Sequence, residues 1–204
     1  MDTGVSVVGS GQVGAAPDVL RMRLSVEHDA ADVSAAVAKV AERTDAAIAA
    51  LRGQGVEASA IETSAVNVFR DYTEPGAPIR YRASHALTVT TKDLSGFGRL
   101  LTAAVGAAGN SLGLDNLQFD IEDKSELLTR ARELAFQQAR TKAAELAALA
   151  GYSLGSVSSI SETYGAVPIR AFEASAKRTP GMAINISPGE HTVEVSLEVH
   201  FSWA

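Results

Sequence analysis

The segment from His191 to Trp203 alternates without a break. Val193, Val195, Leu197, Val199, Phe201 and Trp203 fall on one side, and Thr192, Glu194, Ser196, Glu198, His200 and Ser202 on the other. Successive side chains of an extended chain point to opposite faces, so this pattern describes a strand with one covered face and one wet face. Parallel sheets are covered on both faces and read as continuous apolar runs. A half-wet strand therefore belongs to an antiparallel sheet with its cover on one side only.

The rest of the chain is consistent with that frame. Val5 to Val13 reads as a strand interrupted by glycines, and Val19 to Val26 as a cleaner one, with Leu20, Met22, Leu24 and Val26 on a shared face. Pro17-Asp18 between them is a turn signal, so the two are expected to form an opening hairpin. A helix starts at Asp32 and runs to about Leu51, with Val33, Val37, Val40, Ile48 and Leu51 as its apolar stripe and Gly53 and Gly55 as its stop. Strands follow at Ile61 to Tyr72 and Ile79 to Thr91, separated by a loop over 73–78. Tyr81, Ala83, His85, Leu87 and Val89 share a face of the second.

Asp93 fits an N-cap for a helix through Leu94, Phe97, Leu101 and Val105. A strand spans Leu114 to Ile121. The longest helix spans Ser125 to Ala150, with Leu127, Leu128, Ala131, Leu134, Ala135, Leu146 and Leu149 as its stripe and Gly151 as its cap. A Ser-rich strand covers Ser153 to Thr163. The stretch 164–190 has weak periodicity and three prolines; a stretch of that length without regular structure is usually functional, flexible or an oligomer arm, and it and the loop around Pro75 to Pro78 are the expected contact surfaces.

The order is ββαββ–αβ–αββ, which places the chain in the α+β class: a mainly antiparallel sheet with helices packed on one face. The strand–helix–strand–strand pattern occurs twice, at about 19–91 and 113–203, as in a duplicated βαββ unit. The expected organisation is a single domain over 1–204, with 1–91 and 92–204 as candidate sub-units.

Aromatic residues make up 5% of the chain against 46% hydrophobic residues overall, so the core is built from Ala, Val, Leu and Ile. The net charge of −6, with no run of Lys and Arg interleaved with aromatics, argues against nucleic acid as a partner. The absence of cysteine excludes disulfides, thiolate metal sites and thiol catalysis. No apolar run is long enough to span a bilayer, so membrane insertion is not expected. The opening Met1-Asp2-Thr3-Gly4 leads straight into strand-like sequence. This sets the expectation of a cytoplasmic protein, with the periplasm or cell envelope as the alternative if a leader preceded it.

One motif resembles a cofactor site. Gly9-Ser10-Gly11-Gln12-Val13-Gly14 matches the dinucleotide-binding G-x-G-x-x-G, whose glycines admit a pyrophosphate at a helix N-terminus. Here Ala15-Ala16-Pro17-Asp18 leads into another strand, so the dipole and the N–H donors are missing. A bulge or close backbone packing in an edge strand is the better reading, and no cofactor is assigned. His28, His85, His191 and His200 form no H-x-x-x-H and no compact ligand set, so no metal site is assigned. Asp120, Glu122, Asp123 and Glu126 stand where a strand gives way to the long helix, a position that favours capping over acid–base chemistry or Ca²⁺ binding. The serines of 153–161 and Ser187 lie in no G-x-S-x-G elbow. No catalytic residue is assigned.

Two stretches carry a resemblance. Val5-Ser6-Val7-Val8-Gly9-Ser10-Gly11, with Ala16-Pro17-Asp18 and the strand to Glu27, resembles the amino-terminal signature of SIMPL-domain (DUF541) proteins. The run Ala131 to Glu162 resembles that family's long helix, A-x-x-x-A-x-x-K-A-x-x-L-A, and the strand after it. Pro188-Gly189-Glu190 before the last strand fits as well. The resemblance implies kinship with periplasmic immunogenic and oxidative-stress-related bacterial proteins, with members that form ring-like or hollow oligomers, and with a eukaryotic member named for association with a pelle-like kinase. It carries no family-wide catalytic residue. The expectation is a non-enzymatic, self-assembling bacterial protein with a stress- or envelope-associated role, a homo-oligomer. A scaffold that binds another protein is the alternative, and an unrecognised enzyme or small-ligand protein the third reading.

Overall fold

A computed structural model describes residues 3–71, 79–163 and 189–204. The loop over 73–78 and nearly all of 164–190, the two stretches expected to make contacts, lie outside the described residues. The chain forms two compact units. One takes residues up to Pro17, returns at Ile121 and ends with the carboxyl-terminal residues from Gly189; the other takes Asp18–Asp120. The candidate sub-units 1–91 and 92–204 do not match this division, because the second unit is inserted between the first strand and the long helix of the first.

The elements in chain order are β1 (Gly4–Ala15), β2 (Val19–Ala30), α1 (Val33–Gly53), β3 (Ile61–Asp71), β4 (Arg80–Thr91), α2 (Phe97–Ala108), β5 (Leu112–Asp120), α3 (Ser125–Leu149), β6 (Leu154–Thr163) and β7 (His191–Trp203). The α+β class and the element order agree with the sequence reading. The opening hairpin does not form. β1 pairs antiparallel with β7, Val7 opposite Val199, whereas β2 pairs with β4 and β5. Pro17 marks the passage from one unit to the other rather than a turn between paired strands.

The first unit is a three-stranded sheet in the order β1-β7-β6 with α3 against β1 and β7. Val195, Leu197, Val199 and Phe201 are buried against α3, which is the covered face read from the alternation. The second unit is a four-stranded antiparallel sheet in the order β3-β4-β2-β5, with α1 and α2 on one face. Its chain order is βαββαβ, the split-βαβ topology of ferredoxin-like folds. The strand–helix–strand–strand motif does occur twice, but its second instance begins with β1, not with the strand near residue 113. In β1-α3-β6-β7 and in β2-α1-β3-β4 alike, the last strand lies between the other two.

Local chemistry sets the helix ends. Asp32 caps α1 by accepting from the Ala35 N–H at 2.9 Å, and Gly55 leaves the helix at φ 91°, a conformation that favours glycine. α2 begins at Phe97 rather than at Asp93, because the Asp93 carboxylate accepts from the N–H and hydroxyl of Ser95 and holds a turn first. These bonds, the Ser95 hydroxyl foremost and Arg99 next, hold the Asp93 carboxyl below its ordinary value of 3.8.

The buried stripes differ from those read by hydrophobicity. α3 buries Ala131, Ala135, Ala139, Ala143 and Ala147, while Leu134, Leu146 and Leu149 are exposed. α1 buries Ala36, Val40, Thr44, Ala47 and Leu51, leaving Val33 and Val37 outside. The second unit otherwise fills its core with large side chains, Leu20, Met22, Leu24, Leu51, Val89, Phe97 and Leu100. Each of these is worth about 1.5–3 kcal/mol when fully buried.

Candidate functional site

Gly9 and Gly11 of the G-x-G-x-x-G run face the middle of α3, and Gly14 faces the Glu190 side chain. A Cβ on Gly9 would lie 2.1 Å from the Ala135 carbonyl oxygen, and one on Gly11 2.1 Å from that of Ala131, closer than any real side chain approaches backbone. Among the described residues, no helix N-terminus faces Gly9 or Gly11. Gly9 and Gly11 thus let an alanine face of α3 sit on β1, backbone to backbone, which is the close-packing role of glycine in a strand.

That approach also delivers two polar side chains to the outer edge of β1. The Ser10 N–H donates to Gln138 Oε1 at 2.8 Å, and Lys142 Nζ donates to the Val8 carbonyl at 2.8 Å. An edge strand presents unpaired N–H and C=O groups on which another strand can add, and natural proteins cover or charge such edges. β1 is an edge that its own helix covers at Val8 and Ser10. Sequence reading missed Gln138 and Lys142, although their spacing of four puts them on one helix face beside the alanines.

The remaining candidates are scattered. Ser6 Oγ and His200 Nδ1 lie 2.8 Å apart across β1 and β7, an exposed pair. His85 Nε2 lies 3.2 Å from Thr63 Oγ1 on β3, and His28 stands opposite Ala83. His191 begins β7, opposite Ala15. The acids divide by role. Asp123 accepts from the hydroxyl and the N–H of Ser125 at the start of α3, and both bonds, the hydroxyl first, hold its carboxyl below the ordinary value. Asp120 lies 3.4 Å from Arg21, and Glu126 sits in the first turn of α3. Among the described residues, no group of three or more His, Asp or Glu is placed to hold a metal ion, and no helix is long and apolar enough to cross a membrane.

On the face of the second sheet away from α1 and α2, three arginines stand against acids: Arg21 with Asp120, Arg23 with Asp115, and Arg82 in a two-point pair with Asp29 at 2.8 and 3.1 Å. Arg82 is the main reason that the Asp29 carboxyl lies below its ordinary value. Such a face is largely charge-compensated.

The edge of that sheet is different. β3 pairs with β4 alone among the described strands. Val66, Val68 and Phe69 along it are 64%, 42% and 52% exposed. Ser64 has no partner in the register, and this bulge reverses the pleat: Thr63 stands opposite Leu87, then Ala65 opposite Ala86 and Val66 opposite His85. Val66 and Val68 consequently share the helix-covered side of the sheet, and Phe69 takes the other. The sequence marked 61–72 as a strand rich in Val, Thr and Phe; what it did not show is that no described strand covers its outer side.

The chain belongs to the SIMPL family, a protein family of unknown function (DUF541), whose model matches residues 5–201. Two curated relatives are the 26 kDa periplasmic immunogenic proteins of Brucella melitensis biotype 1 and of Brucella abortus strain S19. Each is 29% identical over 210 residues, covering 97% of this chain and 83% of the relative. The expectation of a cytoplasmic protein is overturned by these relatives, both of which are named periplasmic. The opening residues carried that expectation, and they do not outweigh a likeness that spans almost the whole chain.

Proposed function

We propose that this chain is a non-enzymatic, self-assembling protein of the bacterial periplasm or cell envelope, with the edge of β3 as a contact between copies. The carrying observation is the contrast between two edges. β1 has two backbone groups, the Ser10 N–H and the Val8 carbonyl, bonded by Gln138 and Lys142, while β3 displays Val66, Val68 and Phe69. Exposed apolar edges of this kind are templates for strand addition. The names of the Brucella relatives support the compartment, and a stress-associated role follows only from the family resemblance. The Ser6–His200 pair supports no enzymatic reading, because a hydrolytic serine also needs an oriented base and a built oxyanion site.

Light scattering on the chain over a wide concentration range tests the assembly. We expect a mass several times the 21.2 kDa of one chain, and a constant monomer mass overturns the proposal. A monomer that retains a different protein in a pull-down favours the scaffold reading instead.

A further inference from the structure

We draw no further inference here: the strongest candidate, the exposed apolar residues Leu146, Leu149 and Tyr152 at the carboxyl end of α3, carries none because nothing in the structure shows what covers them.

Discussion

The two units share a βαββ motif and solve its packing in opposite ways. In the first, α3 lies on β1 through alanine against glycine, so the helix backbone comes close enough for Gln138 and Lys142 to bond the strand's outer edge. In the second, α1 buries Ala36, Val40, Thr44, Ala47 and Leu51 and lies mainly on β2 and β4, while α2 buries Phe97, Leu100, Ala104 and Ala108. There β3 retains an apolar outer edge. The helix of the first unit thus lies over the edge strand β1, whereas α1 lies mainly over the inner strands β2 and β4 of its sheet. One topology yields a closed border in one unit and an open one in the other.

The largest effect is expected where the close packing is challenged. Alanine is ordinarily better than glycine inside a regular element by about 0.5–1 kcal/mol. At Gly11 the sign should reverse, since the added Cβ meets the Ala131 carbonyl; Gly11→Ala should destabilise by about 1–3 kcal/mol. Trp203, the chain's single tryptophan, stacks on Tyr152 at 5.0 Å in the first unit, so its fluorescence in a urea titration reads that unit directly. Gly106→Ala in α2, where a Cβ meets nothing, should instead stabilise by about 0.5–1 kcal/mol by circular dichroism. Destabilisation at both positions would mean that glycine acts through something other than the approach of α3.

Opening the closed edge should cost less. Gln138→Ala with Lys142→Ala leaves the Ser10 N–H and the Val8 carbonyl to water, at about 1 kcal/mol for each bond lost. Hydrogen exchange at Ser10 should quicken while that at Leu24 stays slow; unchanged exchange at Ser10 would show that the helix does not protect the edge.

The smallest effect belongs to the face of the second sheet away from α1 and α2. The Asp29 carboxyl is held below its ordinary value of 3.8, chiefly by Arg82. A depressed acid stabilises the fold at pH above its unfolded value and loses that contribution as pH falls through the folded one. Both partners are partly exposed, so Arg82→Ala should cost only about 0.5 kcal/mol at neutral pH. The gap to wild type should close as the pH is lowered beneath 3.8, and a gap that persists in acid would assign the effect to packing.

Much of the fold was legible because alternation and capping are local. β7's two faces, Asp32 as the α1 cap and Gly151 after α3 follow from neighbouring residues. Partner choice was not. β1 and β2 adjoin in sequence, yet β1 pairs with β7 at the far end of the chain. The helix stripes misled for a related reason. Hydrophobicity favours leucine as the buried residue, but α3 faces a strand that carries Gly9 and Gly11, and only alanine fits there. The two halves of that fit, A-x-x-x-A and G-x-G, were both visible, and pairing them needed the topology. At the candidate site, Val66 and Phe69 read as ordinary strand residues because edge position depends on the neighbours of a strand.

The most direct test of the open edge is the mass of the double variant Val66→Lys, Phe69→Lys, which places a charge on each face of β3 at exposed positions. Light scattering beside wild type should show the assembly reduced in mass, with the Trp203 fluorescence of the folded chain unchanged. A double variant that assembles to the wild-type mass would contradict the account and leave β3 an edge without a partner.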